Sequence, residues 1–175
     1  MIEQIAPVKI ALIGVGKMGK NHLRVLSMLK DVELVNIYDV NEEALKTYSA
    51  EYKVPYTLDL NEAIKNVDAV VIATPTSTHF EYFKICSKHV KNIFIEKPLA
   101  DSVANAQIIR DISIERNINV QVGFIERFNP VVAELKPIIA SEKVINADFS
   151  RTNRLSSRIS DVDVVLDLMI HDIDL

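Results

Sequence analysis

A β-branched run, Val8-Lys-Ile-Ala-Leu-Ile13, leads directly into Gly14-Val-Gly-Lys-Met-Gly19. This junction restricts the fold more than any other stretch of the chain. The apolar run reads as a buried strand. The three glycines stand at G-x-G-x-x-G spacing, and an amphipathic segment (Met18, Leu23, Val25, Leu26, Leu29) follows. In a strand–turn–helix of this kind each glycine has a task. Gly14 permits a tight turn, Gly16 lets a pyrophosphate reach the backbone, and Gly19 lets helix and strand pack closely. Phosphates would then lie over the free N–H groups of the helix N-terminus, near Lys17 and Met18.

A second apolar run, Glu33 to Tyr38, ends at Asp39. That acid lies about twenty residues past the glycines, where a carboxylate accepts the ribose hydroxyls of an adenosine. Asp39 would repel a 2′-phosphate and Val40-Asn41 offers it no cation, so NAD is expected over NADP. The alternative is a plain tight turn followed by a solvated Asp.

The remaining chain keeps the strand–helix rhythm. Asn41 is expected to cap a helix from Glu42 to about Tyr52, and Asp59 a short one through Ala63 and Ile64. Val67 to Ala73 reads as a buried parallel strand, and Phe80 to about His89 as a helix capped by Ser77 or Thr78. A strand Asn92–Glu96, a helix from Asp101 to about Arg116 and a strand Asn119–Gly123 follow. Repeated βαβ units imply a doubly wound parallel sheet of Rossmann type, with ligands beyond the carboxyl ends of the strands. Three loops at those ends carry candidate residues, the third running from Gly123 to Pro130. Thr74 and Pro75 are expected to line a cofactor cleft. His79 serves the cleft or the structure, and His22 and His89 read as structural. Lys97, after Glu96 and before Pro98, would project toward the cleft, where a partly desolvated lysine can polarise a hydroxyl. A surface lysine before a helix is the alternative.

The net charge of −4 and the absence of a basic stripe argue against nucleic acid. Cys86 is the only cysteine, so no intrachain disulfide can form. It is expected to be a buried apolar group in a protein of the reducing cytoplasm. The first residues lack a signal-peptide pattern, and no apolar run reaches membrane-spanning length, so no membrane association is expected.

The glycine loop together with Glu96-Lys97-Pro98 resembles the glucose–fructose oxidoreductase and inositol dehydrogenase (Gfo/Idh/MocA) family of NAD(P)-dependent sugar oxidoreductases. The resemblance implies that Lys97 is a catalytic-site residue, with Glu96 beside the cofactor, and that the Lys97–Pro98 bond is cis. Gly123-Phe-Ile-Glu-Arg-Phe-Asn-Pro130 is similar to a family run that places Arg127, Phe128 and Asn129 toward nicotinamide or substrate. Read without the family, it is a strand end and a helix N-terminus, Val131 to Ala140, with Pro130 in the first turn.

Lys143–Phe149 alternates as a strand opening a second, α+β domain. Arg151, Arg154 and Arg158 form either a solvated loop or a clamp for a nucleotide-sugar diphosphate. Asp167 and His171 stand at i and i+4, where a carboxylate can orient an imidazole as a general base. A polar surface pair is the other reading, and no metal is expected because further ligands are missing. The family places an Asp-x-x-x-His pair in its sugar site, often followed by x-x-Asp, here Asp174. Met169 stands where that motif often has glycine. These runs are similar to the branch acting as UDP-N-acetylglucosamine 3-dehydrogenases.

The expected organisation is a Rossmann domain over residues 1–125 and the start of a substrate and dimerisation domain over 126–175. One strand cannot make a stable sheet alone. The chain is therefore expected to be a fragment, with activity and homo-oligomerisation belonging to the full-length protein.

Overall fold

The structure, a computed structural model, describes residues 6–150 and 164–175. Two compact units result, Met1–Val122 and Gly123–Leu175.

The first unit is a six-stranded parallel sheet in the order β3-β2-β1-β4-β5-β6. Its strands are β1 Val8–Ile13, β2 Val32–Tyr38, β3 Tyr56–Thr57, β4 Ala69–Ile72, β5 Asn92–Ile95 and β6 Asn119–Val122. The helices are α1 Lys17–Leu26, α2 Glu42–Tyr52, α3 Leu60–Ala63, α4 Thr76–Cys86 and α5 Val103–Arg116. The order turns back between β1 and β4, which is where doubly wound sheets bind ligands.

Alternation along the strands builds two cores. Ala11, Ile13, Val70, Ile72, Ile93 and Ile95 face Phe83 and Cys86 of α4 and Ile109 of α5. Leu12, Ile37, Val71 and Ala73 face Leu23 of α1 and Leu45 of α2. Each fully buried Leu, Ile or Phe contributes about 1.5–3 kcal/mol. Both faces are filled, which is why the strands read as continuous apolar runs rather than as alternating ones.

Several caps lie where the sequence places them. Asn41 accepts from the Ala44 N–H at 3.1 Å and Asp59 from the Asn61 N–H at 2.8 Å. The start of α4 is a correction. The helix begins at Thr76 directly after Pro75, so Ser77 and Thr78 lie inside its first turn rather than capping it. The Thr78 hydroxyl lies 2.7 Å from the Pro75 carbonyl oxygen and 2.9 Å from Thr74 Oγ1. The helix also ends at Cys86, leaving His89 in the following turn.

Cys86 is fully buried, and desolvation pushes its thiol up to about 12. Thiolate is the reactive form. We expect no labelling of the folded chain by a thiol reagent at pH 8 and one equivalent after unfolding. Rapid labelling of the native chain would contradict the packing described here.

The second unit contains a 3-10 turn Ile125–Phe128, helix α6 Pro130–Ser141, a π-helical turn Val165–Met169 and helix α7 Ile170–Asp174. Pro130 occupies the first turn of α6, as read from the sequence. The strand expected at Lys143–Phe149 does not form: residues 143–150 have no regular structure. A strand needs a partner, and among the described residues none pairs with it. Among the described residues, no helix is long and apolar enough to cross a membrane.

Candidate active site

The carboxyl ends of β1, β2, β4 and β5 each deliver a loop to one edge of the parallel sheet. The glycine loop comes first. Gly14 has φ +93°, a conformation that L side chains rarely adopt, and a Cβ there would stand 2.7 Å from the Ala73 carbonyl oxygen. A Cβ on Gly19 would fall on the Gly14 carbonyl. At Gly16 a Cβ would meet nothing within 4 Å. Two glycines therefore serve packing, and the third leaves an open cradle. Gly16 is also the N-cap of α1 and offers no side chain to cap it. Lys17 and Met18, whose N–H groups open the helix, are exposed residues like Gly16. Unsatisfied N–H groups and the positive end of the helix dipole are what a pyrophosphate requires.

Asp39 stands against the glycine loop. Its Oδ2 accepts the Val15 N–H at 2.7 Å and its Oδ1 the Asn41 N–H at 2.9 Å. The carboxylate is thereby fixed against the glycine loop. Its two oxygens offer about four lone-pair sites, so capacity remains for ribose hydroxyls. These residues fit a dinucleotide.

The β4 loop carries half-buried Thr74 and exposed Pro75. His79, in the next helical turn, is 1% exposed, and its ring is turned onto backbone rather than into open space. Nδ1 lies 2.9 Å from the Pro98 carbonyl oxygen and Nε2 lies 2.9 Å from that of Thr74. Direct cofactor contact by His79 is therefore not what the geometry offers.

The β5 loop holds Glu96, Lys97 and Pro98, joined by a cis Lys97–Pro98 bond as the resemblance implies. Glu96 and Pro98 are buried and Lys97 half-buried between them. Glu96 Oε1 accepts from His22 Nε2 at 2.6 Å, and Oε2 from the Lys97 N–H at 3.2 Å. His22 also packs edge-on against Phe94, with ring centroids 5.2 Å apart. Nothing in the sequence pairs His22 with Glu96, because 74 residues separate them.

In the second unit, Arg127 forms a two-pronged ion pair with Asp174: Nε to Oδ2 at 2.7 Å and Nη2 to Oδ1 at 2.5 Å. The guanidinium beside it holds the Asp174 carboxyl below its ordinary range. The fork expected for substrate is thus engaged within the unit. Asn129 is likewise occupied, capping α6 through the Val131 N–H at 3.0 Å and donating to Glu126 at 3.0 Å. Phe128 is 77% exposed. Asp167 lies in the π-helical turn and buried His171 in α7. Such turns are frequent at functional sites. Arg151, Arg154 and Arg158 lie outside the described residues. No group of metal-ligating side chains occurs among the described residues.

Fold and glycine loop together define a dinucleotide-binding domain. The chain belongs to the Gfo/Idh/MocA oxidoreductase family, whose profile, that of an NAD-binding Rossmann fold, matches residues 8–124. It is 30% identical to UDP-N-acetylglucosamine 3-dehydrogenase of Acidithiobacillus ferrooxidans, over 93% of this chain and 51% of that one. It is 31% identical to inositol 2-dehydrogenase of Acidothermus cellulolyticus, over 96% of this chain and 52% of that one. A solved structure of the Acidithiobacillus ferrooxidans enzyme superposes with a TM-score of 0.84 at 28% identity, covering 97% of this chain and 55% of that one. The chain spans about half the length of the curated relatives it matches.

Proposed function

We propose that the protein is an NAD-dependent dehydrogenase of a sugar hydroxyl, acting on C3 of UDP-N-acetylglucosamine or a related nucleotide sugar. The observation that carries the reading is the placement of Lys97 at the carboxyl end of β5, in the sheet whose β1 end presents the open glycine cradle. NAD, held by Gly16, Lys17, Met18 and Asp39, would supply the hydride acceptor. Lys97 polarises the sugar hydroxyl. Proton removal falls to His171, with Asp167 as its orienting carboxylate. Orientation of the sugar carbon supplies much of the rate, because hydride transfer requires close, aligned approach. Arg154 and Arg158 are the residues assigned to the diphosphate. Thr74 and Pro75 bound the nicotinamide side, and Phe128 the substrate side.

The inositol dehydrogenase relative favours a second reading, oxidation of a free polyol. The full-length protein is to be assayed by NADH formation with UDP-N-acetylglucosamine, N-acetylglucosamine and myo-inositol. The nucleotide sugar is expected to exceed the free compounds by at least about tenfold in kcat/KM, a difference of 1.4 kcal/mol. NADP is expected to trail NAD by a similar factor, because the Asp39 carboxylate faces its 2′-phosphate. Preference for inositol would move the protein to the second reading. Failure to bind NADH would remove both.

A further inference from the structure

Lys97 sits between two buried neighbours, and each neighbour is tied to a different helix by a histidine. On one side, His22 of α1 reaches Glu96 Oε1 at 2.6 Å. On the other, His79 of α4 reaches the Pro98 carbonyl oxygen at 2.9 Å and, with its second nitrogen, the Thr74 carbonyl oxygen at 2.9 Å. The imidazole of His79 therefore spans the β4 and β5 loops. A neutral ring donates to one of these carbonyls, and a protonated ring to both.

We infer that His79, aided by His22, is a positioning residue that fixes the Lys97 turn and locks it to the Thr74 loop. This inference rests on the catalytic reading of Lys97. The physical case is one of degrees of freedom. The ladder bond from the Glu96 N–H to the Ile72 carbonyl, 2.9 Å, anchors the incoming strand. Beyond it the turn leaves the sheet, and side chains must hold what the ladder no longer does. His22 and His79 do so from opposite flanks. The α1 helix whose N-terminus forms the phosphate cradle carries His22, so one end of the cofactor site and the lysine share a support. A misplacement of about 1 Å at a reacting group can cost on the order of a hundredfold in rate.

The test is a double-mutant cycle in the full-length protein, with His79→Leu and Lys97→Ala alone and together. His79→Leu removes both hydrogen bonds at nearly constant bulk. It is expected to lower kcat by roughly 10–100-fold while KM for NAD moves less than about threefold. With Lys97 already replaced, the same change is expected to matter less than about threefold, because nothing is left to position. His79→Gln, which can still donate to one carbonyl, is expected to recover part of the rate. It also carries the cycle if the leucine variant does not fold. An equal loss in both backgrounds would show a general structural role and overturn the inference. A fully active His79→Leu would do the same. A fully active Lys97→Ala would instead fell the catalytic reading of Lys97, and the positioning role with it.

Discussion

Gly19→Ala is expected to destabilise the chain by about 3 kcal/mol, lowering Tm by roughly 6–12 °C, and to weaken NADH binding by at least about a hundredfold. The new Cβ would fall on the Gly14 carbonyl, with the Gly14 carbonyl carbon at 2.7 Å. Both are backbone atoms that no rotamer change can move aside. Relief requires α1 to lift from β1, which opens the contact beneath Leu23 and displaces the N–H groups presented to the phosphates. Gly16→Ala supplies the contrast. Its Cβ enters open space, so melting should shift by only the roughly 0.5–1 kcal/mol that separates alanine from glycine at a helix N-cap. NADH affinity should nevertheless fall by at least about tenfold, because that space is where the pyrophosphate would approach. Thermal melts and NADH fluorescence titrations of the two variants separate packing from binding. Parent-like binding by Gly16→Ala would mean that the phosphates do not cross this glycine. Parent-like melting of Gly19→Ala would refute the packing account.

Lys97→Ala in the full-length protein is expected to lower kcat by about 10²–10³-fold, the usual worth of one positioned group that polarises a reacting oxygen. NADH binding should change by less than about tenfold, since the cradle and Asp39 are untouched. Lys97→Arg should remain slow despite its charge. A planar guanidinium cannot take the place of a compact ammonium between two anchored neighbours. Steady-state kinetics at saturating NAD measure the effect. Undiminished turnover by Lys97→Ala would remove the lysine from the mechanism.

Local chemistry was legible in the sequence where it acts over a few residues. The β1–glycine–α1 junction, the Asn41 and Asp59 caps and the Pro130 start of α6 all depend on neighbours in the chain, and each lies as read. The beginning of α4 is not legible in the sequence, because Thr74-Pro-Thr-Ser-Thr78 offers several hydroxyls of capping type. The helix starts after proline instead, and Thr78 bonds backward. The strand expected at Lys143–Phe149 depended on a partner that alternation alone does not supply. His22 and His79 show the same limit at the site. Their partners lie 74 residues away for His22, and 19 and 5 residues away for His79. No local pattern marks such ring-to-loop contacts. The two could have been suspected only from being polar rings on helices that pack against the sheet.

The central seam of the sheet has a consequence for how the chain is made. Ile10 pairs with Ala69, 59 residues later, whereas its other neighbour, Leu34, is only 24 residues away. At synthesis rates of about 5–20 residues per second, β4 leaves the ribosome roughly 3–12 s after β1. Until β4 arrives, the edge of β1 that pairs with it in the finished sheet has no strand to cover it. Unpaired apolar edges invite association with other chains. The newborn chain is therefore open to misassembly at this seam until β4 has emerged.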